Sequence, residues 1–154
     1  MSSRLFQNLR EKLGMVYNIY SFIDFFKDKG IFGVYLGTDR KQVMPAVEQV
    51  LRELRRIKKE GLDRKELENA KYQLKGSMIL GAESTSNRMS RLARLELYLK
   101  DYMSIEKTIS LIDQAKKEEV IEVASELIRK DRLAVAILGQ VGRNIQQKIN
   151  WDLV

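Results

Sequence analysis

Met15-Val16-Tyr17-Asn18-Ile19-Tyr20-Ser21-Phe22-Ile23-Asp24-Phe25-Phe26, then Lys27-Asp28-Lys29-Gly30, then Ile31-Phe32-Gly33-Val34-Tyr35-Leu36-Gly37, is the stretch on which the fold turns. β-branched and aromatic residues crowd both runs, and the residues between them form a short Gly-containing turn. Two such runs joined this closely predict an antiparallel hairpin. Upstream, Ser2 or Ser3 can cap a first helix with Leu5, Phe6, Leu9 and Leu13 at helical spacing, and Gly14 stops it.

Downstream of Thr38-Asp39 the period changes to that of helices. Val43, Val47, Val50, Leu51, Leu54 and Ile57 form one apolar stripe, closed by Gly61. Pro45 must fall in the first turn, because deeper inside it would cost about 3 kcal/mol. Asp63-Arg64-Lys65-Glu66 has the spacing of a capping box and opens a helix with Leu67, Ala70, Leu74 and Met78 on one stripe. Ser84 or Thr85 caps the next, with Met89, Leu92, Leu95 and Leu99. Ser104 caps a shorter one with Ile105, Ile109 and Ile112, and the last, near Lys117–Lys130, carries Val120, Ala124, Leu127 and Ile128. Leu133-Ala134-Val135-Ala136-Ile137-Leu138 is apolar on both faces and predicts an interior strand. From Gly142 the tail is polar, and Trp151 packs it down. The sum is one α+β domain, a small mainly antiparallel sheet with several helices packed on one face. Three strands are few for that many amphipathic helices. Either another chain completes the sheet, or strands are missing from its beginning.

Composition narrows the chemistry. The chain has 154 residues, no His and no Cys, and 28 Lys+Arg against 21 Asp+Glu. Without Cys there is no disulfide framework, thiol nucleophile or Cys-ligated metal. Without His there is no Ser-His-Asp triad and no His-x-x-Glu-His zinc site. A carboxylate-only site for Mg²⁺ or Ca²⁺ would need a spacing that does not occur here. No apolar run reaches the roughly 20 residues that span a bilayer, and Met1–Phe6 lacks a secretory layout, so the expectation is a cytoplasmic protein without a membrane partner. The net charge of +7 is uneven. Residues 1–77 hold 16 basic and 10 acidic side chains, whereas residues 78–154 hold 12 and 11.

The basic excess peaks in Arg52-Glu53-Leu54-Arg55-Arg56-Ile57-Lys58-Lys59-Glu60, with five cations on about two turns. Such a stretch can line a phosphate backbone. No Gly-rich phosphate loop, RNA-binding aromatic string or zinc finger accompanies it, and cations near a helix C-terminus are favoured by the dipole. A solvated helix face, with no nucleic-acid partner, is the expectation. Arg88, Arg91 and Arg94 recur every three residues and are expected to pair with Glu96 or Glu83. The hairpin aromatics read as ordinary core and cross-strand pairs.

The string from Met1 to Tyr17, MSSRLFQNLREKLGMVY, resembles a signature segment of the insulinase/pitrilysin family of zinc peptidases. It is most similar to the bacterial processing-protease group related to mitochondrial processing peptidase. Residues 30–38, Glu66–Gly76 and Glu83–Leu97 continue the likeness in order. The resemblance covers residues 1–141 and implies a partial C-terminal, non-zinc domain that lacks its opening strand and helix, followed by a polar tail over 142–154. Members of that family close two similar α+β halves on an extended peptide, and the first half carries the zinc. It follows that the cofactor, zinc, belongs to the missing half, and that this chain alone is catalytically inactive. The expected partners are a zinc-bearing half-domain or a second copy, and a peptide substrate.

The same resemblance singles out Arg10 and Tyr17, which in the family reach across the cleft to hold the substrate backbone and support the tetrahedral intermediate. A guanidinium and a phenol are suitable donors for a peptide carbonyl and a developing oxyanion. On residue type alone, Arg10 is a solvated helix residue and Tyr17 a half-buried sheet aromatic. A different class of function stands as the alternative: a non-enzymatic interaction module that uses an unpaired sheet edge and a basic face.

Overall fold

The computed structural model describes residues 3–154, so Met1 and Ser2, one of the two candidate caps, lie outside the described residues. The chain divides into two compact units, one of residues up to Glu60 with Ile121–Val154, the other Gly61–Val120.

In the first unit, β1 (Asn18–Phe25) and β2 (Gly30–Gly37) pair antiparallel, with Asn18 opposite Gly37 and Phe25 opposite Gly30. The α+β class is therefore as the sequence predicts. Side chains alternate across the sheet. Ile19, Val34 and Leu36 point to a core shared with Leu9, Val16, Ala46, Val50, Leu54, Ala124 and Ile128. The opposite face carries Tyr20 and Tyr35, stacked at 5.0 Å between centroids, and Phe22. The Phe22 ring lies over Gly33, where an added Cβ would collide with it. The glycine is thus the space into which the aromatic folds.

α1 (Val43–Glu60) begins after a single 3₁₀ turn, Arg40–Gln42, and Pro45 falls in its first turn. Proline needs no amide bond there, which is why the helix tolerates it. Ahead of the hairpin, the expected helix is present but wound differently. Phe6–Lys12 is a π-helix, in which the Leu13 N–H donates to the Asn8 carbonyl at 3.0 Å. A π turn holds more residues than an α turn, so the apolar spacing drifts: Leu9 is buried, whereas Leu13, expected on the same stripe, is exposed. Ser3 Oγ accepts from the Phe6 N–H at 3.3 Å, and Gly14 ends the helix at φ +59°. The left-handed region is costly for residues with a Cβ, which explains glycine at that position.

The interior strand expected at Leu133–Leu138 does not form. Leu133, Val135 and Ile137 are half-buried and Ala134, Ala136 and Leu138 exposed, the alternation of an extended chain. Among the described residues, however, no main-chain group pairs with this segment; a single side-chain amide, Gln146 Nε2, donates to the Val135 carbonyl at 3.4 Å. A strand requires a neighbour about 4.8 Å away. A cleft lies between this segment and β2 instead. Beyond it, Ile149 is buried and the turn Trp151–Leu153 rests on α1.

The second unit is helical: α2 (Arg64–Gly81), α3 (Thr85–Leu99) and α4 (Ile105–Gln114). All three begin where side-chain chemistry predicts. Asp63 accepts from the Glu66 N–H and Glu66 from the Asp63 N–H, a reciprocal capping box. Ser84 and Ser104 cap α3 and α4. Lys71 and Lys75 on α2 reach Asp113 on α4, the first through its carbonyl at 2.9 Å and the second through its carboxylate. α5 (Lys117–Leu127) closes the helical order.

Candidate functional site

Arg10 and Tyr17 share one construction. Each exposed side chain directly follows a buried one, Leu9 before Arg10 and Val16 before Tyr17. The buried neighbours hold the main chain to the core, so the two polar heads project from fixed backbone positions. The Arg10 guanidinium lies 5.0 Å above the Phe6 ring, within the range of a cation–π contact. Tyr17 is 63% exposed, and its N–H donates to the Gly37 carbonyl at 2.8 Å. Beside it, Thr38 Oγ1 donates to the Met15 carbonyl. These bonds clamp the entry of the hairpin to its exit and set Asp39 beside the phenol.

The Tyr17 hydroxyl donates to the Asp39 carboxylate. That hydrogen bond, with slight desolvation and the carboxylate's negative charge, raises the phenol pKa above its ordinary value of 10.0. Tyr17 therefore keeps its proton throughout the neutral range and remains a donor. Whatever the contact contributes to stability is fully present below about pH 10 and is lost as pH rises through the higher folded value. In a tyrosinate absorbance titration read against Tyr17→Phe, Asp39→Asn is expected to bring the Tyr17 transition down towards 10. An unchanged transition would show that Asp39 is not the cause.

Among the described residues no hydrogen bond joins Arg10 to Tyr17, and each is engaged by a different neighbour. Asp39 escapes sequence reading because nothing but the hairpin register brings it to residue 17. Glu53 escapes it too. This carboxylate on α1 is 2% exposed and accepts from Asn8 Nδ2 at 3.0 Å and Gln49 Nε2 at 3.3 Å, with Arg56 Nη1 at 3.5 Å. Asn8 belongs to the π-helix, so Glu53 ties the segment bearing Arg10 to α1.

Three cations of the Arg52–Lys59 stretch meet partners within their own unit. Arg52 faces Glu48, Arg56 faces Glu53 and Glu60, and Lys58 donates to the Ile128 carbonyl at 3.0 Å. Arg91 does not pair with Glu96 or Glu83 as its spacing suggests. Its guanidinium donates to Thr108 Oγ1 at 3.0 Å and to the Ser104 carbonyl, because α4 begins alongside it. Among the described residues there is no group of three or more His, Cys, Asp or Glu side chains able to hold a metal ion. Among the described residues no helix is long and apolar enough to cross a membrane.

Residues 1–74 match the family model described as the peptidase M16 inactive domain. The uncharacterized zinc protease YmxG of Bacillus subtilis (strain 168) is 37% identical over 142 residues, which cover 92% of this chain and 34% of that protein. The uncharacterized zinc protease Mb2805c of Mycobacterium bovis is 37% identical over 151 residues, covering 97% of this chain and 34% of the relative. The chain thus spans about a third of the length of these curated relatives. A chain of complex III2 from Candida albicans, solved with Inz-5 bound, superposes with a TM-score of 0.73 at 23% identity, over 82% of this chain and 30% of that one. That likeness is one of fold.

Proposed function

Because the chain belongs to the insulinase-type M16 peptidase family and corresponds to its inactive domain, we propose that it encloses a peptide substrate opposite a zinc-bearing half. Arg10 would hold the substrate backbone, and Tyr17 would donate to the oxygen that gains charge as the peptide carbonyl is attacked. The observation that carries this reading is that both heads project, exposed, from anchored main chain within the matched segment. Zinc does not fit the residues present, which include neither His nor Cys and no acidic cluster among the described ones. The metal chemistry is accordingly assigned to the other half, and this chain's share is binding, orientation and donation of a hydrogen bond. A cytoplasmic location suits the role.

The test is reconstitution. The purified chain with added zinc is expected to leave a fluorogenic peptide intact; chelator-sensitive cleavage by the chain alone would overturn the reading. Addition of a zinc-bearing half from the Bacillus subtilis relative should then produce cleavage. Arg10→Ala and Tyr17→Phe should each lower kcat roughly 10- to 150-fold, the value of about 1.5–3 kcal/mol for a hydrogen bond to a charged group. The unfolding midpoint should stay unchanged. Undiminished kcat in both variants would remove these residues from the mechanism.

A further inference from the structure

Asp39 stands where a helix-capping side chain is expected. It is the N-cap of the turn Arg40–Gln42 that leads into α1, with φ −68° and ψ 151°, yet its carboxylate accepts no capping hydrogen bond. Asp63 holds the same position ahead of α2 with similar main-chain angles, φ −72° and ψ 166°, and accepts from the Glu66 N–H. Ser84 and Ser104 cap their helices in the same way. The Asp39 carboxylate is thus diverted from the amides it could satisfy and receives the Tyr17 hydroxyl instead. The two residues are also held together through their main chains. The Tyr17 N–H donates to the Gly37 carbonyl at 2.8 Å and Thr38 Oγ1 to the Met15 carbonyl, which locks residues 15–17 beside 37–39.

A phenol carries one proton. While Tyr17 donates it to Asp39, that proton does not reach a substrate oxygen. On the reading of Tyr17 as the donor to substrate, we propose that Asp39 is a positioning residue that holds the Tyr17 hydroxyl in a resting orientation, from which a bound peptide must draw it. No covalent bond changes in this exchange. The hydroxyl hydrogen turns from the carboxylate to the oxygen of the carbonyl under attack, and one hydrogen bond replaces another. Its timing follows from charge. A hydrogen bond to a carboxylate is about twice as strong as one to a neutral oxygen. An unreacted carbonyl therefore competes poorly for the proton, whereas an oxygen that has gained negative charge competes on equal terms. The exchange falls between bound substrate and transition state, so the carboxylate lowers kcat and leaves KM unchanged.

Asp39→Asn keeps an acceptor of the same shape and removes the charge. In the peptidase reconstituted with a zinc-bearing half, it is expected to raise kcat about fivefold at constant KM, the difference between a charged and a neutral acceptor. The gain should vanish in a Tyr17→Phe background, because Asp39 acts through the phenol. A gain that persists there would mark a direct field of the carboxylate on the substrate and overturn the proposal. A kcat that falls or stays constant in Asp39→Asn would overturn it too. The role of Tyr17 is judged separately, by Tyr17→Phe alone. If that variant cleaves as fast as the parent, the donor reading fails and the proposal with it; if it is slow and Asp39→Asn brings no gain, only the proposal fails. The chain by itself supplies a second measurement that needs no cleavage. Three-bond couplings across the Cα–Cβ bond of Tyr17 should show the rotamer that reaches Asp39 favoured over the other staggered ones. Asp39→Ala, which leaves the clamp through Gly37 and Thr38 in place, should cut that bias about fivefold. A bias that Asp39→Ala leaves unchanged would overturn the proposal whatever the kinetics, and if no zinc-bearing half restores cleavage, this measurement decides alone.

Discussion

Leu9→Ala is expected to lower the unfolding free energy of the first unit by about 3–5 kcal/mol, the upper part of the range for buried leucine truncations. Leu9 is the largest side chain that is completely enclosed. It stands where the π-helix, β1, α1 and the end of α5 converge, in contact with the cluster that includes Ile19, Ala46, Val50, Leu54 and Ala124. Truncation removes apolar burial and leaves a cavity whose walls belong to four separate elements. Collapse of the site would require those elements to move together, so little of the loss is recovered. Leu9 also anchors the main chain of Arg10, and the variant should loosen the guanidinium's position as well as the core. Urea unfolding followed by Trp151, the single tryptophan and a member of this unit, reports the transition directly. The midpoint should fall while the slope stays constant. A loss below 1 kcal/mol would mean that the core closes over the gap and that the four elements are less rigidly joined than the packing implies.

Much of this architecture is legible because it rests on local rules. The hairpin follows from two β-rich runs and a tight turn, and the starts of α2, α3 and α4 from Asp63, Ser84 and Ser104, whose side chains satisfy amides that no helix can satisfy internally. The features that were not legible depend on pairing. Leu133–Leu138 has the composition of a strand, but a strand is a relation between two segments, and its neighbour is not among the described residues. The π-winding of Phe6–Lys12 changes which carbonyl each amide meets and turns Leu13 out of the stripe that an α-helical period predicts. At the candidate site, Arg10 and Tyr17 come from a resemblance; no periodicity or charge pattern marks them. Asp39 becomes visible once the hairpin register is known. Glu53 did leave a trace: it lies three residues after Val50 and four before Ile57, on the apolar stripe itself. An acidic residue in that position must find buried donors or be expelled.

The donors that Glu53 finds make it the second residue whose replacement should be severe. Glu53→Leu removes the acceptor for Asn8 Nδ2 and Gln49 Nε2 at a site that water does not reach freely. Leaving such donors unsatisfied costs about 1–3 kcal/mol each, so a total loss of about 2–6 kcal/mol is expected. The ion pair with Arg56 adds little, because that guanidinium is 50% exposed and returns to solvent when the carboxylate is gone. Glu53→Gln keeps an acceptor for Asn8 and should cost less than half as much. The decisive comparison is the double variant. Asn8→Leu alone leaves a buried carboxylate short of a donor and should also destabilise strongly, whereas Asn8→Leu with Glu53→Leu removes donor and acceptor together. If the pair is the tie between the π-helix and α1, the double variant should be more stable than the sum of the two single losses predicts, by about 1–3 kcal/mol in a double-mutant cycle. Strict additivity would show that Asn8 and Glu53 act independently. In the reconstituted peptidase the tie also makes a kinetic claim. Glu53→Gln, which preserves the fold, should raise KM or lower kcat by less than Arg10→Ala does, because it acts on Arg10 only through the position of the helix that carries it.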